Sequence, residues 1–315
     1  MYKGFNLRLE SGEDCFEQRV QKYECERYKK RYKDWWNTQE KTYEKWLYEV
    51  VDTKDINGSS LQEEWFPEVE ADIFISHSHK DKDCALALAG WLDENFGLKC
   101  FIDANIWGYA EELKDKLNDQ YSEKCKYEAG YLYNYRSCNQ VSSHVDNMLM
   151  MALQNMIDKT ETTFLLNTDS SVTIDEGTKI SKTYSPWIYS EMMCTKIVRK
   201  KPLLEYRKCS EMVLKHFEEG ADRTLNKQLP IYYELSLSQL TSLNKKDLRN
   251  WYVNWKNRGK ELECSSPLDF LYRSKCSDEW KKEISYIQQL MLQKGSDIWK
   301  KYGSENKEKN ELFLG

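Results

Sequence analysis

Residues 72–103 read DIFISHSHKDKDCALALAGWLDENFGLKCFID, and the fold turns on this stretch. Asp72-Ile73-Phe74-Ile75-Ser76 is a short apolar run of strand length, closed by the polar residues SHKDKD. Ala85, Leu88, Ala89, Leu92 and Phe96 then recur at helical spacing, and Gly97 stands where a C-cap glycine belongs. A second apolar run follows at Leu98 to Ile102. Strand, helix and strand with short joints predict a βαβ unit, parallel and right-handed, and therefore an open α/β domain.

Downstream the unit recurs less cleanly. Ser143 is expected to cap a helix carrying Val145, Met148, Leu149, Ala152 and Met156 on one face, with the methionines as core filler. That helix leads into a third strand at Thr162 to Leu166. After a polar loop from Thr168 to Thr183, Ser185-Pro186 supplies an N-cap and a first-turn proline for a helix running to about Arg199. A last strand is expected at Leu229 to Tyr233, and helices from Leu240 to Tyr302. Stretches 121–142 and 200–227 fit no repeating unit.

Upstream, Phe16, Val20, Tyr28, Tyr32, Trp36 and their neighbours show three- and four-residue spacings, so residues 1–66 read as a helical N-terminal extension. The run YKKRYKDWW interleaves basic and aromatic residues as single-strand binders do. Glu24, Glu26, Asp34, Glu40 and Glu44 are threaded through it, however, and favour a solvated helix docked by its aromatic face. The expected division is 1–66 helical, 67–235 α/β with insertions, and 236–315 a helical C-terminal extension.

The 315 residues carry 47 Lys+Arg against 52 Asp+Glu, a net charge of −5, which argues against broad capture of nucleic acid or anionic membrane. No apolar stretch approaches the roughly 20 residues of a membrane helix. The start, MYKGFNLRLE, lacks a secretory apolar run, and the 10 cysteines form no C-x-x-C pair. A cytoplasmic protein with reduced thiols is the expectation.

In an open α/β sheet the ligand site lies beyond the carboxyl ends of the strands. The residues there are Ser76, His77, Ser78 and His79 after the first strand, Asp103, Asn105 and Trp107 after the second, and Asn167 after the third. His144, Trp187 and Glu191 stand at helix starts. Trp187 and Glu191 are four apart and share a helix face. A carboxylate backed by an aromatic ring suits a cationic sugar, such as the oxocarbenium-like centre of a breaking glycosidic bond. The same pair also occurs on ordinary helix faces. No glycine-rich dinucleotide or P-loop motif is present, so neither hydride transfer nor nucleotide-triphosphate chemistry is supported. His77 and His79 with Asp81 and Asp83 lack a third placed ligand, and no metal site is expected.

The string from Asp72 to Asp103 resembles the opening of a Toll/interleukin-1 receptor (TIR) domain, and FLLNT followed by SPWIYSE resembles its third strand and glutamate-bearing segment. The resemblance is nearest to bacterial TIR-like proteins of the antiphage Thoeris type, through IDANIWGYAEEL and SSHVDNMLMMALQNMIDKTE, and covers about 72–235. It implies a flavodoxin-like TIR domain with a mainly parallel sheet. It also implies an enzyme that cleaves the nicotinamide–ribose bond of NAD, a substrate and not a cofactor, and makes a cyclic or conjugated ADP-ribose messenger for a separate effector. Glu191 is then the catalytic carboxylate. Ser76 and His77 border the ribose or nicotinamide, and Asp103 and Trp107 line the nicotinamide side. His144, inferred from its place at a helix start, faces the same edge. Self-association of TIR domains and a phage-derived trigger belong to the same implication. The competing readings are a non-catalytic TIR scaffold, docking through aromatic ends that include Trp35, Trp46, Trp251 and Trp299, and a nucleoside glycosyl-transfer enzyme.

Overall fold

The computed structural model describes residues 1–9, 22–40, 56–66, 68–127, 130–207, 231–258 and 266–294, with side chains except at 22–23, 38–40, 104–109, 125–127, 130–131 and 288–294. The chain opens with β1 (Lys3–Arg8), α1 (Lys22–Glu40), α2 (Gly58–Trp65), β2 (Ile73–Ser76), α3 (Lys82–Phe96) and β3 (Cys100–Ile102). It continues with α4 (Ala104–Tyr121), the hairpin β4 (Lys124–Tyr127) and β5 (Gly130–Tyr133), α5 (Tyr135–Lys159) and β6 (Thr162–Asn167). Next come β7 (Thr173–Ile174), β8 (Ser181–Thr183), α6 (Pro186–Ile197), α7 (Leu203–Tyr206) and β9 (Tyr233–Leu235). The last are β10 (Thr241–Leu243), α8 (Lys245–Lys256), α9 (Pro267–Lys275) and α10 (Ser277–Lys294).

The main sheet has five strands in the order β10-β1-β6-β2-β3, and every pairing in it is parallel. This is an α/β architecture compatible with a flavodoxin-like fold. The βαβ unit forms as its residues dictate. Gly97 takes the left-handed conformation at φ 70°, and its N–H closes the last turn of α3 on Asp93. Ile73, Phe74 and Ile75 are fully buried, since a central parallel strand is covered on both faces.

The flanking segments differ from their expected all-helical form. Lys3–Arg8 is a strand lying between β6 and β10, paired with β6 from Lys3↔Thr162 to Arg8↔Asn167. Phe5 and Leu7 are fully buried, and Phe5 meets Phe164 edge-on at 5.5 Å. The alternation Phe5, Leu7, Leu9 is a strand signal that the stronger helical periodicity after residue 16 overshadows. Thr241–Leu243, expected as helix, is likewise a strand, adding an edge beside β1. Of the strand expected at Leu229 to Tyr233, residues 229 and 230 lie outside the described residues, and Tyr233 opens β9 (Tyr233–Leu235). β9 pairs not with the main sheet but antiparallel with β8. Stretch 121–142 holds the β4–β5 hairpin and the first turns of α5.

The aromatic face of α1 docks as the sequence suggests. Tyr28, Tyr32 and Trp36 are buried, and Trp36 reaches Phe101 at 6.3 Å between ring centroids. The close approach of α1 to α3 depends on Gly90, where a Cβ would lie 1.9 Å from the Tyr28 carbonyl oxygen. Trp251 and Trp255, both on α8, are buried and belong to the core. Trp46, Trp299 and Pro67 lie outside the described residues.

Beside the amino end of β6 a buried ionic network joins distant segments. Arg207 donates to both oxygens of Glu161 at 2.6 and 2.9 Å and to Asp269 at 2.7 Å, and the Tyr272 hydroxyl donates to Glu161 at 3.0 Å. Burial outweighs Arg207 and pushes the Glu161 carboxyl above its ordinary range. Cys100, Cys138, Cys194 and Cys276 are free thiols, whereas Cys84 is disulfide-bonded, so the expectation of uniformly reduced cysteines does not hold for Cys84. Among the described residues no helix is long and apolar enough to cross a membrane.

Candidate active site

The chain leaves β2 toward β3 on one side and returns through β6 on the other, so the sheet has its topological switch at β2 and β6. The crevice beyond the carboxyl ends of such strands is where open α/β sheets bind ligands. Ser76 ends β2 and His77 follows it, while Asp103 immediately follows β3. The register Ile75↔Ile102 makes Ser76 and Asp103 the next positions on adjacent strands, which lie about 5 Å apart.

Glu191 arrives from α6. That helix starts at the expected place: Ser185 caps it, its hydroxyl accepting from the Ile188 N–H at 3.2 Å, and Pro186 occupies the first turn. Ile188 and Met192 anchor one side of α6 in a small apolar cluster with Leu165, Val172, Leu235 and Leu240. Glu191, between them in sequence, is turned toward the sheet edge. The Ser76 hydroxyl donates to Glu191 Oε2 at 2.6 Å. His77 Nδ1 lies 2.9 Å from Asp103 Oδ1. These two atoms are within hydrogen-bond distance but not aligned for one, so the contact is one of proximity.

Ser76, His77, Asp103 and Glu191 are exposed by 0, 1, 0 and 2%, so the cluster is closed to water in this state. Burial first, and the neighbouring Asp103 second, push the Glu191 carboxyl well above the ordinary carboxylate range, while the Ser76 hydrogen bond works in the opposite direction. Asp103 is also the N-cap of α4, yet its side chain does not cap the helix. A residue type well suited to capping is turned instead toward His77 and Glu191, the local conflict expected at a functional site.

A second polar layer, from which the sequence singled out Ser78 but neither Thr168 nor Ser171, holds the rim. The Ser78 and Thr168 hydroxyls both donate to Asp81 Oδ2, at 2.7 and 2.6 Å, joining the turn after β2 to the loop after β6. Ser171 donates to the Leu166 carbonyl at 2.6 Å and completes that loop. Its only signal is a run of Ser, Thr and Asp just beyond two strands. Asp81 is thus committed to hydroxyl donors. Among the described residues no group of three or more His, Cys, Asp or Glu is arranged to hold a metal.

Of the residues singled out by sequence, the structure brings together Ser76, His77, Asp103 and Glu191. Trp187 is half-buried against the main core, one turn before Glu191. Trp107 lies in the first turns of α4, and its side chain is outside the described part. His144 does not begin a helix. Asn134 caps α5, accepting from the N–H groups of Arg136 and Ser137, and His144 sits well inside that helix with its side chain exposed. The helix starts earlier than Ser143 because Asn134 closes the β4–β5 hairpin and caps in one step, while the Ser143 hydroxyl turns back to the Asn139 carbonyl at 2.9 Å.

No family model, no curated protein and no solved structure matches this chain.

Proposed function

We propose that the protein is a TIR-type enzyme that cleaves the nicotinamide–ribose bond of NAD, with Glu191 as the catalytic carboxylate. The observation that carries this reading is the buried Glu191 carboxyl, held by Ser76 at the switch-point edge of a parallel sheet. The sequence resemblance over Asp72–Asp103 and Ser185–Glu191 supports it.

The chemistry follows from the site. Nicotinamide departs as a neutral molecule and leaves positive charge on the ribosyl carbon, so the bond breaks faster where a fixed negative charge faces that carbon. A Glu191 carboxylate in a water-poor cleft supplies that charge, and the Ser76 hydroxyl fixes its orientation. The carboxyl reaches substrate only once the elements covering it move, so opening is part of the cycle. The ribosyl cation is captured by its own adenine, by water or by another nucleophile. We assign the product to the ADP-ribose class and the biological role to a messenger in bacterial antiphage defence, acting on a separate effector.

The test is mass spectrometry after incubation of the full chain with NAD, beside Glu191→Ala. The expected result is free nicotinamide and an ADP-ribose species from the wild type and neither from the variant. Equal release by the variant overturns the assignment. Silence of the wild type, in buffer and in infected cells, favours a TIR scaffold.

One observation favours a second reading. A nucleobase takes up a proton as it leaves, and a buried carboxyl whose proton affinity is raised, by burial first and Asp103 second, suits that need. Cleavage of nucleosides and not of NAD in the same assay selects a nucleoside glycosyl-transfer enzyme.

A further inference from the structure

We propose that Asp81 is a positioning residue for Glu191, acting through Thr168 to set α6 against the end of β2. This deepens the NAD-cleaving reading and rests on it for the reaction that Glu191 serves. Asp81 stands at the N-cap of α3, where an aspartate ordinarily accepts from the backbone N–H groups of the first turn. Its side chain makes no such bond. One oxygen, Oδ2, accepts instead from Ser78 within its own turn and from Thr168 in the loop after β6, at 2.7 and 2.6 Å. The second of these bonds spans 87 positions of sequence and ties together the two loops that flank the switch point.

The loop that Asp81 grips is cross-bonded. The Thr168 carbonyl accepts from the Ser171 and Val172 N–H groups at 3.1 and 2.9 Å. The Ser171 hydroxyl accepts from the Thr168 N–H at 2.9 Å and donates to the Leu166 carbonyl at 2.6 Å. A turn held in this way moves as one piece, and Val172 at its end is buried in the apolar cluster that contains Ile188 and Met192 of α6. Glu191 stands between those two anchors in sequence.

The turn after β2 therefore holds Glu191 twice. Ser76 does so directly, at 2.6 Å, and Asp81 does so through Thr168, Val172 and the packing of α6. The two restraints differ in kind. Apolar packing is non-directional and leaves a helix free to slide, whereas a hydrogen bond fixes distance and angle, so the Asp81–Thr168 bond supplies the direction that the cluster lacks. A charge that faces a developing cation needs such placement, and an error of about 1 Å costs up to about 100-fold in rate.

The experiment measures steady-state nicotinamide release from NAD by the full chain. Thr168→Val deletes the donor at nearly constant shape, and Thr168→Ser keeps it. The expected result is a kcat lowered about 10-fold by Thr168→Val with KM unchanged, and a kcat near that of wild type for Thr168→Ser. Added to Ser76→Ala, Thr168→Val is expected to cost less than about twofold more, because both changes act on the placement of one carboxyl. A merely structural role lowers the active fraction by the same factor in every background. Full multiplication of the two losses, or equal loss in both Thr168 variants, therefore overturns the proposal. Hydrogen exchange is the second arm and needs no substrate: Thr168→Val is expected to speed exchange over Ile188–Met192 and to leave Leu86–Leu92 of α3 as in wild type. Unchanged exchange in α6 also overturns the proposal. If Thr168→Val does not fold, Asp81→Ala beside Asp81→Asn reads the same contact from its other end, since the asparagine keeps an oxygen that accepts from both hydroxyls. Faster exchange in α6, in a protein that leaves NAD intact, would uphold the positioning role and reject the substrate.

Discussion

The Ser76 hydroxyl donates to the Glu191 carboxylate across 2.6 Å, joining the end of β2 to the second turn of α6 over 115 positions of sequence. This bond orients the carboxyl and, unlike every other influence on it, favours its ionised form. Ser76→Ala is therefore expected to lower nicotinamide release about 10- to 100-fold, the effect of losing one charge-assisted hydrogen bond of about 1.5–3 kcal/mol. The acidic limb of the pH profile should move upward, because the remaining influences all raise the proton affinity of Glu191. Steady-state rates across pH check both statements.

Glu191 is held at a cost to stability. Its folded-state pKa lies above the unfolded value, so the folded protein binds more protons than the unfolded chain between the two. Stability from this group is fully present below about pH 4.5 and is lost as pH rises through the folded pKa. Glu191→Gln removes that loss, and its amide can donate to Asp103. We expect the variant to be more stable than wild type at pH 8 and nearly equal to it at pH 4. Denaturant unfolding at the two pH values measures the difference, in which the unchanged Glu161 cancels.

The Glu161–Arg207–Asp269 network makes the opposite prediction for its centre. Arg207→Met leaves two buried carboxylates without their shared cation and is expected to destabilise the fold by about 3–5 kcal/mol at neutral pH. The Glu161 carboxyl is already raised by burial, and loss of Arg207 raises it further. Acidification below that pKa then protonates Glu161 and relieves part of the repulsion, so the penalty should shrink at pH 5. Urea midpoints for the variant and wild type at pH 7 and pH 5 check it.

Gly90 tests the docking of the first helix. A Cβ 1.9 Å from the Tyr28 carbonyl oxygen meets backbone, which cannot rotate away as a side chain does. Gly90→Ala is expected to force α1 off α3 and to destabilise by about 1–3 kcal/mol despite the better helix propensity of alanine. A lowered thermal midpoint, with increased hydrogen exchange in Tyr28–Trp36, is the expected readout.

Where local rules govern, the amino-acid sequence by itself determined the structure. The Ile73–Ser76 run, the apolar stripe from Ala85 to Phe96, Gly97 and the Ser185-Pro186 helix start each depend on neighbours within a few residues, and all took their expected form. Glu191 was legible as a candidate for the same reason: it lies in the second turn of a helix whose start the sequence marks. Only the tertiary structure decided that Lys3–Arg8 and Thr241–Leu243 complete the sheet, since a short strand is defined by partners as distant as Thr162–Asn167. It alone decided that Asn134, not Ser143, starts α5, and so removed His144 from a helix start. The meeting of Ser76 and Glu191 also belongs to it. A serine and a glutamate 115 positions apart carry no mutual signal in a chain; the sheet and the packing of α6 bring their side chains together and exclude water from them.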